Sequence, residues 1–254
     1  MHGSVSNLKT WDGVASSLVK AGYRVIRYDV PSFGLSGDAS DEVVARTKPV
    51  DIAETLLTEL GVERVTVVGV SSGGTLGVQL AAKRPDLVER LVISNAPSEP
   101  LAWTPTDPAT LPAAMQAAYA EEKRLGYKSP SYWDAWFEYY AGVPSRYSAE
   151  FKDQIYHMML RPQHKNLIPM IAQVADHGAA VFAMRSVKAP TLLLWGGADP
   201  LLPFSTMDTL GNYLKNTRVS KLMMPDVSHY PPMEVPERYA RLVRDYIEAV
   251  EPSR

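Results

Sequence analysis

The chain has 254 residues, of which 46% are hydrophobic and 21% charged, and its formal net charge at pH 7 is −2. These fractions are ordinary for a globular protein, and without a basic excess we expect no nucleic-acid partner. The absence of cysteine excludes disulfides, thiolate nucleophiles and cysteine-ligated metals.

Short runs rich in β-branched residues alternate with helical patterns along most of the chain. The runs are nearly continuous in apolar residues, which is typical of parallel strands covered on both faces. They predict strands at Tyr23–Val30, Val65–Val70, Arg90–Ser94, Thr191–Trp195 and Val219–Met224. Helical patterns occupy about residues 11–20, 48–60, 73–84, 204–215 and 236–250. This alternation predicts an α/β fold with a mostly parallel, doubly wound sheet, whose core comprises residues 1–96 and 186–254.

Residues 97–185 interrupt the alternation, because no convincing strand pattern occurs among them. The first part predicts an extended connector rich in proline, with Pro97, Pro100, Pro105, Pro108 and Pro112. Helical patterns follow, and aromatic residues at spacings of three and four predict one broad apolar face formed by Tyr132, Trp133, Trp136, Phe137, Tyr139 and Tyr140. An insertion of this length is usually functional, and we interpret it as a helical cap over the sheet.

A glycine-rich turn follows the second predicted strand and precedes a helix, with the sequence Gly69-Val70-Ser71-Ser72-Gly73-Gly74. A serine in a tight strand-to-helix turn has a strained backbone, and the residues two positions away on each side must be small. Gly69 and Gly73 meet this requirement around Ser71, whereas a nucleophile at Ser72 would place Val70 there. The alternative, a phosphate-binding turn, matches neither G-x-G-x-x-G nor the P-loop pattern. We therefore predict Ser71 as a nucleophile.

This turn, together with the upstream run Asp29-Val30-Pro31-Ser32-Phe33-Gly34-Leu35-Ser36, resembles the α/β-hydrolase family. The resemblance extends along nearly the whole chain outside the predicted cap. It implies that a strand leads into the His2-Gly3 loop and lies between the strands at Tyr23–Val30 and Val65–Val70. We therefore expect a sheet without its N-terminal strands, in which both neighbours lose ladder partners and Ser4 lies at a fraying terminus.

A serine hydroxyl needs a base that takes its proton, and five histidines are available. His2 resembles the family's oxyanion-loop histidine, and we interpret three others as surface or packing residues of the cap: His157, His164 and His177. His229 follows the last predicted strand. It resembles the family's catalytic histidine, which precedes a Glu-x-Pro by five positions, here beginning at Glu234. We therefore predict His229 as the general base.

The acid that orients this imidazole is predicted to be Asp199, in a turn just after the strand Thr191–Trp195. Open α/β sheets place ligands at the carboxyl ends of their strands, so Ser71, Asp199 and His229 are expected to converge there. The turn also resembles the family's acid turn, and the order Ser, Asp, His along the chain agrees. Asp-Pro is also a common turn dipeptide without any catalytic role. Asp226 is the alternative acid, although its position close to His229 is better suited to shaping the loop.

Two backbone amides are expected to stabilise the oxyanion, that of Ser72 and, by the resemblance, that of Ser4. Caps form the roof of the pocket in this family. The resemblance therefore implies an apolar or aromatic substrate in contact with Trp133, Trp136 and Tyr140, although aromatic residues at helical spacing more often pack within a cap. This chemistry needs neither a metal nor an organic cofactor, so we expect none, and none of the histidines has zinc-type spacing.

We expect a hydrolase that cleaves a small-molecule carboxylic ester, lactone or thioester through an acyl-enzyme on Ser71. One alternative is a carbon–carbon hydrolase of the ring-cleavage type, whose members usually have tryptophan where this chain has Met233. Another is a non-catalytic ligand receptor on the same fold. The start of the chain does not resemble a signal peptide, and no segment approaches the ~20 apolar residues that cross a bilayer. We therefore expect a cytoplasmic monomer or homodimer without a membrane partner.

Overall fold

The computed structural model describes residues 1–4, 6–98, 108–160 and 164–251. Within these ranges the chain forms one sheet whose order follows the sequence. The strands are β1 (Val65–Val70), β2 (Val88–Ser94), β3 (Thr191–Gly196) and β4 (Val219–Met224). All neighbouring strands are parallel, so their carboxyl ends lie along the same edge of the sheet. The predicted α/β class with a parallel sheet is confirmed.

The α-helices of the described ranges are α1 (Asp12–Lys20), α2 (Asp41–Arg46), α3 (Pro49–Glu59), α4 (Ser72–Lys83), α5 (Ala113–Leu125), α6 (Pro130–Tyr139), α7 (Ala149–Met159), α8 (Leu167–Val174), α9 (His177–Ser186), α10 (Phe204–Tyr213), α11 (Pro231–Glu234) and α12 (Pro236–Ala249). Five of them, α1, α3, α4, α10 and α12, correspond to the predicted helices of the core. Helix α2 was not predicted, because it buries no residue and therefore lacks an apolar stripe. No single helix in the described ranges is long and apolar enough to cross a membrane, although the bent pair Leu167–Val174 and Gly178–Ser186 meets that test when its members are taken together.

Strand side chains alternate between the two faces of the sheet, and each face packs against its own helices. On one face Leu91, Ile93 and Leu193 form a cluster with α3, α4, α8, α9 and α10. On the other face Val92 and Leu194 form a cluster with α1 and α12. All of these strand side chains are fully buried. Burying one such side chain contributes roughly 1.5–3 kcal/mol, so the two apolar layers fix the strand ends at which the polar side chains lie.

The described residues between β2 and β3 contain helices and no strand. Helix α6 begins at a clear local signal, since the Ser129 side chain accepts the amide of Tyr132 and Pro130 occupies the first helical position. Helices α5, α6 and α7 contribute to the cluster on the α12 face, whereas α8 and α9 contribute to the cluster around α4. Residues 99–107 and 161–163 of the predicted cap, with connector prolines 100 and 105, lie outside the described residues.

The predicted strand Tyr23–Val30 is wrong, because its backbone has no ladder partner. The segment has the alternation of a strand, since Val25 packs into one apolar cluster and Ile26 into the other. No backbone hydrogen bond between described residues joins residues 24–29 to β1. A cavity of about 350 Å³ lies between them. The expected loss of ladder partners on both sides of the gap is confirmed.

The first residues of the chain occupy one end of this gap. The α-amino group of Met1 donates to Val68 O at 2.7 Å, and the amide of Val70 donates to Met1 O at 3.3 Å. This is the pattern of parallel pairing, extended over a single residue. Burial lowers the pKa of the amino group to about 5. Met1 and His2 are therefore anchored, because both backbone groups of Met1 and the His2 side chain find partners. The expected fraying at Ser4 stays a prediction.

We expect the backbone amides of residues 24–28 to exchange with solvent on the order of 100-fold faster than those in the centre of β2. Amides in a central strand exchange after the ladder opens, whereas amides without an acceptor need no opening. Hydrogen-exchange mass spectrometry of the native protein measures both segments in one experiment. Equal protection of the two segments would show that residues 24–28 have acceptors and would contradict the open gap.

Candidate active site

Ser71 lies in the turn between β1 and α4 and is buried. Its backbone has φ 55° and ψ −133°, a left-handed conformation that is strained for a serine. The turn also brings two backbone segments into close approach, because a Cβ atom on Gly69 would overlap Gly73 O. The amide of Ser71 donates to Ser94 O at 3.0 Å, which ties the turn to the end of β2. The structure therefore holds this serine in the strained turn predicted for a nucleophile.

His229 and Asp199 form a buried pair at the carboxyl edge of the sheet. Nδ1 of His229 lies 2.7 Å from Oδ2 of Asp199, and both side chains are almost completely buried. Because the carboxylate accepts only, the hydrogen-bonding network assigns the proton of a neutral ring to Nδ1. Nε2 is then the nitrogen that can accept a proton, as a general base requires.

Ser71 and the imidazole lie at the same edge, and no hydrogen bond joins Ser71 Oγ to His229 in the described structure. Such bonds are often long or poorly aligned without substrate and shorten when the substrate binds. A shared neighbour connects the two residues, because the hydroxyl of Tyr230, directly after His229, and the hydroxyl of Ser71 both lie against Gly3. The structure therefore brings the predicted nucleophile and the predicted acid–base pair into one site.

Asn95 is a residue of this site that the sequence analysis missed. It follows β2, is fully buried and has a positive φ of 43°, which asparagine tolerates better than most residues. Its Nδ2 donates to Asp199 Oδ2 at 2.8 Å and to Gly196 O at 3.1 Å, and its Oδ1 accepts the Gly196 amide at 2.8 Å. The amide of Leu201 donates to the other oxygen of Asp199 at 2.8 Å. Asn95 therefore orients the carboxylate that orients His229.

Asp226, the alternative acid, has no hydrogen bond to His229 within the described structure. Its carboxylate pairs instead with Arg238 and Arg146, and these hydrogen bonds lower its pKa to about 2. It stays partly exposed. Its ion pairs hold the base of the loop of residues 225–230 that carries His229, called the histidine loop below. The described ranges contain no group of three or more His, Asp or Glu side chains that could hold a metal ion.

Glu234 fastens the histidine loop to the helical segment between β2 and β3. Its side chain is fully buried and accepts the amide of Ser228 at 2.9 Å. It also accepts hydrogen bonds from the amides of Gly142 and Val143 at 3.0 and 2.9 Å and from the guanidinium of Arg146 at 2.9 Å. In the sequence this glutamate served only as a marker that identified His229. Its structural role depends on partners more than 80 residues away.

The predicted oxyanion donors are the amides of Ser4 and Ser72. Ser72 is the first residue of α4, so its amide has no acceptor within the helix. No hydrogen bond in the described ranges uses either amide, which leaves both available to a substrate oxygen. The helix dipole of α4 adds positive potential at Ser72.

His2 anchors the loop that carries Ser4. Its Nε2 accepts the amide of Val30 at 3.1 Å, which assigns the ring proton to Nδ1, and Nδ1 donates to Gly3 O at 2.9 Å. The ring is buried against Phe33 with centroids 5.1 Å apart. Burial is the main cause that lowers the pKa of His2 to about 4, and the α-amino group adds to it. Asp29 and the bond to Gly3 oppose the shift.

The three predicted substrate contacts, Trp133, Trp136 and Tyr140, do not all lie beside the histidine loop. The Trp136 ring lies 5.6 Å from the Tyr230 ring, and the Tyr140 ring lies 5.9 Å from His229, measured between centroids. Trp133 packs 5.7 Å from Trp136 on the side of Tyr132 and is fully buried. The structure therefore brings Trp136 and Tyr140 to the histidine loop, whereas Trp133 has no ring contact with that loop among the described residues. Contact of these residues with a substrate stays a prediction.

The model of the alpha/beta hydrolase fold family matches residues 1–236. A 2-hydroxymuconate semialdehyde hydrolase from Pseudomonas sp. (strain CF600) is 26% identical over an alignment of 256 positions, which covers 97% of this chain and 85% of that protein. The solved structure of a meta-cleavage product hydrolase from Pseudomonas fluorescens IP01 has a TM-score of 0.72 at 20% identity, covering 98% of this chain and 89% of the other. An esterase from Thermogutta terrifontis has a TM-score of 0.71 at 21% identity, covering 98% and 88%. These two structural similarities show the fold alone.

Replacing Glu234 by Gln leaves one acceptor oxygen where four donors converge. We expect a loss of about 2–4 kcal/mol in the free energy of unfolding, because buried donors lose their acceptor. Urea unfolding measures the loss, and Glu237→Gln is the matched control because Glu237 is a nearby exposed glutamate. A Glu234→Gln protein as stable as the control would contradict the proposed role of this carboxylate.

Lowering the pH is expected to destabilise the protein through His2. The ring ionises near pH 6.5 in the unfolded chain but near pH 4 in the folded one, so the unfolded state binds more protons between these values. Stability therefore falls as the pH is lowered through this window, by up to about 3 kcal/mol. The melting temperature of wild type should drop more between pH 7 and pH 4 than that of His2→Gln. Equal drops would show that His2 is not buried as a neutral ring.

Proposed function

This chain belongs to the α/β-hydrolase fold family, and from that premise we propose that it is a serine hydrolase with Ser71 as nucleophile, His229 as general base and Asp199 as the orienting acid. The observation that carries the proposal is the buried 2.7 Å hydrogen bond between His229 and Asp199, at the edge where the strained Ser71 turn also lies. A buried carboxylate in this position stabilises the imidazolium that forms when the ring takes the serine proton.

The chemistry proceeds through an acyl-enzyme. Nε2 of His229 takes the proton of Ser71 Oγ while Oγ adds to a carbonyl carbon of the substrate. The amides of Ser72 and Ser4 donate to the oxygen that becomes negative in this step. The leaving group departs with a proton from the imidazolium, and a water molecule activated by His229 then hydrolyses the acyl-enzyme.

For the scissile bond we propose the carbon–carbon bond of a ring-cleavage product. The Pseudomonas relative is a 2-hydroxymuconate semialdehyde hydrolase, and its similarity to this chain extends over nearly the whole length. A carbon leaving group must delocalise its electron pair into an adjacent carbonyl or conjugated system, and the unsaturated chain of a ring-cleavage product provides one. Trp136 and Tyr140 beside the histidine loop offer the aromatic surface that such a chain would contact.

An ester hydrolase is the second candidate, and Met233 favours it. Carbon–carbon hydrolases of the ring-cleavage type usually carry tryptophan at this position, as stated above. In this chain Met233 is buried in the apolar cluster that also holds Tyr230 and Trp11. Both candidates use the same three catalytic side chains and differ in the leaving group.

Steady-state turnover of 2-hydroxymuconate semialdehyde and of p-nitrophenyl butyrate tests both the assignment of Ser71 as nucleophile and the choice of the scissile bond. We expect wild type to act on the semialdehyde with the higher kcat/KM. Ser71→Ala should lower turnover of both compounds by ~1,000-fold or more, because it removes the nucleophile. Ser220→Ala, at an exposed position of β4, is the control and should behave as wild type.

The outcomes test the nucleophile and the scissile bond separately. Full turnover by Ser71→Ala would show that the nucleophile is wrong. Turnover of the ester without turnover of the semialdehyde would overturn the choice of scissile bond and leave the serine hydrolase in place. If wild type acts on neither compound and is not labelled by a fluorophosphonate, a non-catalytic ligand receptor on the same fold becomes the better hypothesis.

A further inference from the structure

The hydroxyl of Tyr230 is a polar group at the site that the three catalytic side chains do not use. Tyr230 directly follows His229 and is fully buried. Its hydroxyl forms no hydrogen bond with any described residue. A buried polar group without a partner costs about 1–3 kcal/mol, and a bound ligand that accepts its hydrogen bond removes that cost.

The position of this hydroxyl is defined by Gly3. A Cβ atom added to Gly3 would lie 3.3 Å from Tyr230 Oη, 3.4 Å from Ser71 Oγ and 2.9 Å from Ser71 Cβ. The phenol oxygen and the nucleophile therefore face the same small space beside the loop that carries Ser4. When Ser71 Oγ bonds to a carbonyl carbon, a carbonyl oxygen that points toward Gly3 comes within reach of the phenol hydroxyl.

Neighbouring rings hold the phenol in place. The His229 and Tyr230 rings meet edge to face, with centroids 4.6 Å apart and an interplanar angle of 89°. On the other side Trp136 packs at 5.6 Å. The backbone of Tyr230 is fixed as well, because its carbonyl accepts the amides of Met233 and Glu234 at the start of α11. A donor held in this way needs no reorganisation during the reaction.

The hydroxyl keeps its proton under ordinary conditions. Burial raises the pKa of Tyr230 well above its usual value, and the neighbouring Tyr140 and Asp199 act in the same direction. The hydroxyls of Ser6 and Ser71 lie near enough to moderate the shift, although not in hydrogen-bonding geometry. The group is therefore a neutral hydrogen-bond donor.

We propose that Tyr230 is a further catalytic residue, whose hydroxyl donates a hydrogen bond to the oxyanion formed when Ser71 Oγ adds to the substrate carbonyl. The inference rests on the proposed function, because it takes Ser71 as the nucleophile. In this step the carbonyl π electrons move to the oxygen, His229 takes the serine proton, and the phenol keeps its own proton. The tyrosine hydroxyl thus joins the amides of Ser72 and Ser4 as a third donor.

The test is Tyr230→Phe in the full chain, with Tyr147→Phe as the matched control. Tyr147 is also buried and its hydroxyl also lacks a partner among the described residues, but its ring packs against Phe137 and Phe151. We expect Tyr230→Phe to slow the labelling of Ser71 by a fluorophosphonate by ~100- to 1,000-fold, the usual effect of losing one oxyanion donor. Affinity for a trifluoromethyl ketone, which forms an oxyanion on Ser71, should fall by a similar factor. Tyr147→Phe should leave both unchanged.

The melting temperature gives an independent readout. Because the hydroxyl is unpaired in the free protein, Tyr230→Phe should be at least as stable as wild type while it is slower. A clear drop in melting temperature would show that the hydroxyl has a structural partner and would overturn the proposal. Equal labelling rates in Tyr230→Phe and wild type would overturn it as well. If wild type itself is not labelled, the proposed function has failed, and the role of Tyr230 fails with it.

Discussion

The buried carboxylate of Asp199 is the constraint on which the arrangement of the site depends. A charge removed from water is tolerated when hydrogen bonds replace its hydration, and here three donors do so: His229, Asn95 and the amide of Leu201. These donors come from the ends of β2 and β3 and from the loop after β4. The hydrogen bonds that satisfy the Asp199 carboxylate therefore fix the relative positions of three chain segments. One of these bonds also sets the orientation of the His229 imidazole.

Features that depend on local chemistry could be predicted from the sequence. The small residues around Ser71 reveal a strained turn, and the apolar runs reveal all four strands β1 to β4, because both signals lie within a few residues. The strand at Tyr23–Val30 could not be judged in this way. Its side chains alternate as those of a strand do, but a strand also needs a ladder partner, and periodicity carries no information about one.

The roles of Asn95, Glu234 and Tyr230 were out of reach for the same reason. Asn95 contacts Asp199, 104 residues away, and Glu234 contacts Gly142, 92 residues away. An asparagine after a strand, or a tyrosine after a histidine, has no local sequence pattern that predicts such contacts. The helical spacing predicted the aromatic face of α6 but not which of its members reaches the histidine loop, since that depends on how the helix is docked. The carboxylate of Glu234 is part of that docking, because it binds the loop and residues 142–143 together.

Polar groups around Ser71 are of two kinds, carboxylates whose hydrogen bonds are complete and donors without a partner, and this difference argues for function. The carboxylates of Asp199 and Glu234 are fully satisfied, as structural groups in a protein interior should be. By contrast, no hydrogen bond among the described residues uses the amides of Ser4 and Ser72 or the hydroxyl of Tyr230, and the backbone of Ser71 is strained. Unsatisfied donors and strain each lower stability, and at this serine a ligand that supplies the missing acceptor compensates for that cost. A substrate oxygen that becomes negative at Ser71 is such an acceptor, and the surrounding satisfied network keeps the donors aimed at it before it arrives.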